Sequence, residues 1–108
     1  AYEYAAKTEN YLTITSSTAD CKSLCNGMAG VTQITVEHTL EKHWGLWIWN
    51  GVDGASWTKT VYSDTIRLSN TKSGLDSGTY RLKSVFTLKS SSGEPEIITI
   101  YSDEETVG

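Results

Sequence analysis

The feature that most constrains this chain is the unbroken alternation between residues 79 and 89. Tyr80, Leu82, Ser84, Phe86 and Leu88 fall on one side. Thr79, Arg81, Lys83, Thr87 and Lys89 fall on the other, where Val85 is the apolar exception. Successive Cβ atoms of a β-strand point to opposite faces, so a period of two marks a half-buried strand. The lead-in Ser73-Gly74-Leu75-Asp76-Ser77-Gly78 is a turn that delivers the chain into that strand.

Further strands follow from the same period and from the turn residues between them. Tyr11 to Thr15 makes a first strand, with residues 1–9 expected to form a loose arm ahead of it. Val31 to Lys42 places Ile34, Val36, His38 and Leu40 on one face. Trp44 to Trp49 reads as a short apolar strand, and Asn50-Gly51 and Asp53-Gly54 read as turns that return the chain through Trp57 to Tyr62. Thr65 to Ser69 and Glu96 to Tyr101 complete the set, with a turn at Ser90 to Gly93 between the long strand and the last one. A solvated tail is expected over residues 104–108. No segment keeps a helical apolar period over three turns, and helices do not separate the strands, so a parallel α/β sheet is excluded. The expectation is one all-β domain over residues 10–103, an antiparallel two-sheet sandwich of seven to eight strands.

Composition narrows function by exclusion. A formal charge of −4, with nine Lys and Arg residues scattered among the acids, argues against nucleic acid. No run of about 18 apolar residues exists, so no membrane insertion is expected. The chain opens Ala1-Tyr2-Glu3 without Met, and it is rich in Ser, Thr, Gly and Tyr. Both fit an exported protein at an extracellular or cell surface.

Cys21 and Cys25 admit two pictures. In a strand, four residues span about 13 Å, beyond the roughly 7 Å that a disulfide allows between Cα atoms. In a helical turn the rise is about 6 Å and a bridge closes. Polar Asp20, Lys22 and Asn26 alternate with Ala19, Cys21, Ser23 and Cys25, which favours a strand with buried, reduced thiols. A zinc site drawn from these cysteines with His38 and His43 has no supporting spacing, and no metal or other cofactor is expected.

Trp44, Trp47, Trp49 and Trp57 crowd into one short stretch. If Leu46 and Ile48 face the core, Trp47 and Trp49 stand outside and join Tyr62 as a stacking platform. Asn50 and Asp53 lie in the adjoining turn. The alternative is that the same face is covered by the N-terminal arm, with Tyr2 and Tyr4, or by a second copy. Asp53, Asp64 and Asp76 read as turn residues, and no nucleophile elbow or carboxylate pair suggests an enzyme.

Asp76-Ser77-Gly78-Thr79-Tyr80 resembles the entry to the sixth strand of immunoglobulin-like domains. That resemblance implies a corner in which the Tyr80 hydroxyl bonds to backbone near Asp76. It also places Leu82 where an antibody-type domain has its second cysteine. Other short pieces, Thr39-Leu40-Glu41-Lys42, Trp49-Asn50-Gly51…Ser56-Trp57 and Gly93-Glu94…Thr99-Ile100-Tyr101-Ser102, are similar to small secreted bacterial β-sandwich proteins of unknown function. In that likeness Trp57 is a core residue. The function expected from all this is a non-catalytic binding or adhesion module that meets protein or glycan. A structural or self-associating subunit (a homo-oligomer) and a small carbohydrate-active domain are the alternatives.

Overall fold

A computed structural model describes residues 2–91 and 93–108. It contains β1 (Ala5–Thr15), β2 (Thr18–Gly27), β3 (Val31–Gly45), β4 (Ile48–Val61), β5 (Thr65–Lys72), β6 (Gly78–Ser90), β7 (Glu96–Tyr101) and β8 (Glu105–Val107). One sheet has the order β1-β2-β5, and the other β4-β3-β6-β7 with β8 beside the start of β6. All pairings are antiparallel. The chain therefore makes a hairpin in one sheet, a hairpin in the other, returns for β5, and crosses again for β6 to β8. This is an antiparallel two-sheet sandwich in which the fourth strand pairs with the third instead of joining the fifth.

The period-two segments supply the core. Tyr80, Leu82, Ser84, Phe86 and Leu88 of β6 are all buried, as are Ile34, Val36, His38 and Leu40 of β3. Each fully buried Leu, Ile or Phe contributes about 1.5–3 kcal/mol through removal of apolar surface from water. Opposite them, β2 offers the small inward residues Ala19, Cys21, Ser23 and Cys25. The apolar core falls into two clusters. One holds Val36, Phe86 and Cys25 and the other Leu40, Leu82 and Cys21. Between them, at the middle of the same three strands, lie the buried polar residues His38, Ser84 and Ser23.

The Tyr80 hydroxyl donates to the Asp76 carbonyl oxygen at 2.7 Å, the corner that the sequence resemblance implied. Leu82 is fully buried at the neighbouring inward position. Cys21 and Cys25 lie in one continuous strand with free thiols, so the local disulfide loop does not form.

Several boundaries differ from the sequence expectation. Most of the supposed N-terminal arm is strand, since β1 begins at Ala5. Ahead of it the backbone N–H groups of Glu3 and Tyr4 donate to the Glu96 carboxylate at 2.7 and 2.8 Å. The supposed tail contains β8, whose Val107 is buried against β6. The Trp44–Trp49 strand is in fact the tip of the β3–β4 hairpin, turning at Leu46 and Trp47. Both Trp49 and Trp57 belong to β4, because Asn50-Gly51 and Asp53-Gly54 do not end it. Pairing jumps from Thr39↔Ser56 to Glu41↔Gly51, so the residues from Val52 to Ala55 bulge out opposite Leu40. A turn-forming pair placed inside a strand is accommodated as a bulge.

Candidate functional site

The molecule measures 47 × 25 × 20 Å. The 15 residues of β3 extend about 50 Å, so this strand runs its full length and its two ends mark the two ends of the sandwich. At one end, β3 pairs with β6 only as far as Lys42↔Tyr80. Beyond that, His43 to Gly45 pair with β4 alone, and a two-stranded ribbon projects past the sandwich.

That ribbon carries the largest apolar exposure of the described residues. Leu46 is 78% and Trp47 84% exposed, flanked by Trp44 at 61% and Ile48 at 55%. Leu46 and Ile48 thus face water rather than the core, contrary to the premise behind the expected platform. Leu46 also adopts a φ of +50°, in the left-handed region that penalises side chains with a Cβ. His43 steadies the turn through its Nε2 and the Leu46 carbonyl, 2.5 Å apart.

Trp49 lies on the outer face of the larger sheet and is half-buried there. Its ring stacks on the Arg81 guanidinium at 4.2 Å, and Arg81 stacks on Tyr101 at the same distance. The Arg81 Nε–H also donates to the Glu41 carboxylate at 2.8 Å. The planar guanidinium suits this double stacking and carboxylate contact together. Trp57 packs edge-on against His38 with ring centroids 5.6 Å apart. It is partly buried against the core rather than fully within it. Tyr62 is highly exposed but follows the far end of β4, where Val61 pairs with Ile34. The expected platform of Trp47, Trp49 and Tyr62 is therefore divided among a tip, a sheet face and the opposite end. The N-terminal arm does not cover the tip either, since Tyr4 packs against the cluster at the far end, around Val31 and Ile34.

The ribbon does build one feature that the alternation alone did not reveal. Lys42 and Trp44 follow Leu40 on the inward side of β3, but the smaller sheet has ended opposite them. They face a cleft of about 410 Å³ instead of a core. Its other walls are Asn50 to Asp53 of β4, running into the bulge, Lys72 at the end of β5, and Gly74 to Asp76 ahead of Tyr80. The Lys42 ammonium lies 4.8 Å from the Trp44 ring centroid and 5.8 Å from that of Tyr80. Neither Lys42 nor Lys72 makes an ion pair among the described residues. Asn50 and Asp53, named from sequence as contact residues, both line this cleft. Lys42, Trp44 and Lys72 were missed because strand periodicity marks which face a residue takes, not where the opposite sheet stops.

A second hollow of about 540 Å³ lies over the smaller sheet, lined by Tyr11, Lys22, Leu24 and Arg67 among others. It adjoins the Lys7–Glu9 ion pair and the Tyr11–Glu9 hydrogen bond. Its polar groups are thus partly engaged with each other.

The buried polar belt resembles a Ser–His–Asn constellation only in composition. His38 Nδ1 lies 2.7 Å from Ser23 Oγ, and Nε2 lies 2.8 Å from Asn70 Oδ1. Burial holds the imidazole below its ordinary pKa, and the Asn70 contact opposes that shift. Ser23 and His38 are 2% and 0% exposed, out of reach of a substrate. Both His38 nitrogens are engaged, and no three His, Cys, Asp or Glu side chains gather as a metal site among the described residues. Comparison of the sequence with protein-family models and with curated proteins finds no match.

Proposed function

We propose that this protein is a non-catalytic binding module, working outside the cell, that meets a protein or glycan with the end of the sandwich bearing the β3–β4 ribbon. One observation carries the proposal. The same end presents Trp44, Leu46, Trp47 and Ile48 to solvent and opens an aromatic-walled polar cleft beside them. Contiguous exposed apolar side chains rimmed by polar groups mark interaction sites, and clefts of about 300–1,000 Å³ are the size of small-ligand sites. The non-catalytic character is supported by the burial of the one Ser–His pair described above.

The test is binding of the folded protein to immobilised glycans and extracellular-matrix proteins, compared with the double variant Trp44→Ala/Trp47→Ala. Loss of binding in the variant, with an unchanged unfolding midpoint, is the expected result. Equal binding by both proteins refutes the proposal.

A self-associating subunit is a second reading, favoured by Ile97, which is 68% exposed on β7, a strand that pairs on one side only. Free strand edges with apolar side chains are templates for pairing between copies. Light scattering that shows the monomer mass over a wide concentration range excludes it.

A further inference from the structure

The side chains lining the end cleft specify a ligand chemistry. Trp44 offers an apolar ring against which C–H groups pack. Asn50, Asp53 and Asp76 offer acceptors for hydroxyl donors, and the Lys42 and Lys72 ammoniums are free of carboxylate partners among the described residues. Two carboxylates beside two ammoniums leave the cleft near neutrality. A polyanion such as a phosphate chain brings more negative charge than two ammoniums can pair, and a simple cation leaves the Trp44 ring unused. The complementary molecule has an apolar ring face, several hydroxyls and one carboxylate.

We propose that the cleft binds an acidic sugar residue of a glycan, a uronic or sialic acid. Its ring packs on Trp44, its carboxylate pairs with Lys42 and Lys72, and its hydroxyls donate to Asp53, Asp76 and Asn50. This rests on the binding-module reading above and narrows the partner to a glycan of one charge class. Lys42 is placed for such a role because its aliphatic stem lies over Gly78, where an added Cβ would come within 2.6 Å of Lys42 Cε. Gly78 leaves room for the lysine to cross from strand to cleft.

The test is calorimetric titration with a glucuronic acid–N-acetylglucosamine tetrasaccharide and with sialyllactose, each against its neutral counterpart (the carboxyl-reduced tetrasaccharide and lactose). The expected result is binding of at least one acidic sugar, at least about tenfold tighter than its neutral counterpart. Trp44→Ala should weaken that binding by about tenfold or more, the scale of one lost aromatic contact. Lys42→Gln/Lys72→Gln, both partly exposed positions, should erase the preference for the charged sugar while the unfolding midpoint holds. Tyr62→Ala, at the opposite end of the sandwich, should leave these affinities within about twofold. Equal affinity for acidic and neutral forms overturns the proposal, as does a preference that survives removal of both lysines. Absence of saccharide binding overturns it too. The broader binding-module reading then stands or falls separately, on the Trp44→Ala/Trp47→Ala comparison with matrix proteins.

Discussion

Ser23 on β2 and His38 on β3 join the two sheets through the middle of the core, with Ser23 Oγ 2.7 Å from His38 Nδ1. They belong to a longer chain. Asn10 Nδ2 donates to Ser84 Oγ at 3.0 Å, and Ser84 Oγ lies 2.7 Å from Ser23 Oγ. With His38 neutral and its Nε2–H donating to Asn70 Oδ1, every remaining donor has one direction: Ser84 to Ser23, and Ser23 to Nδ1. Each link crosses from one sheet to the other. Among the described residues no buried side-chain nitrogen or oxygen is left without a partner. A one-residue slip of either sheet would break this chain, so it adds register specificity to a core whose apolar contacts are less directional.

The chain favours a neutral imidazole, since a proton on Nδ1 would require the Ser23 hydroxyl to turn from donor to acceptor. Burial depresses the His38 pKa below its unfolded value of about 6.5. The unfolded chain therefore binds more protons, and stability falls as pH drops below about 6.5, levelling off beneath the folded pKa. Urea unfolding at a series of pH values should show that decline, and His38→Gln should remove the part that His38 causes. His38→Gln should also cost about 1–3 kcal/mol at neutral pH by leaving buried hydroxyl or amide groups unpaired.

Tyr80→Phe removes the hydroxyl that donates to the Asp76 carbonyl and leaves the ring in place. A neutral hydrogen bond of this kind contributes about 0.5–1.5 kcal/mol net. The denaturant midpoint should fall accordingly, with no change in the denaturant slope.

Burial, with Asp20 nearby, pushes the Cys21 thiol up to about 12; burial, with Glu96, pushes Cys25 to about 11. Raised folded values mean stability is complete below the unfolded thiol pKa of about 8.5 and declines as pH rises above it. Native protein should resist thiol reagents at pH 8, and both thiols should react at once in denaturant. Fast labelling of the native protein contradicts this placement.

The contrast between what was legible and what was not follows from two kinds of signal. Face assignment along β3 and β6, the Tyr80 corner and the strand form of Cys21–Cys25 could be read because each depends on local alternation or on a local turn. The β4 bulge could not. Asn50-Gly51 and Asp53-Gly54 carry strong turn chemistry, yet β3 continues to pair on both sides of them and holds β4 as one strand. That long-range pairing also set the fate of the tryptophans. It moved Trp57 beside His38, Trp49 onto Arg81, and Trp47 to the apex, and it separated all three from Tyr62. Val107 was lost in an acidic tail because a three-residue strand is too short to show a period.

Leu46 holds a left-handed backbone conformation at the ribbon apex while exposing its side chain. Asn tolerates that conformation better than Leu. Leu46→Asn should therefore raise stability by about 0.5–1 kcal/mol, measured by thermal or urea unfolding, and weaken partner binding by removing apolar contact area. Loss of stability would show that Leu46 packs in the fold rather than serving the surface.

The central claim, that the ribbon end is the binding surface, is tested most directly by amide chemical-shift mapping of the isotope-labelled protein titrated with an acidic oligosaccharide. Shifts should concentrate at Lys42 to Asp53 and at Lys72 to Asp76, with Tyr62 and the hollow lined by Tyr11 and Arg67 unmoved. Shifts confined to the outer face of the smaller sheet would contradict that claim; no shift at all would overturn the acidic-sugar ligand and leave the surface to the matrix-protein comparison.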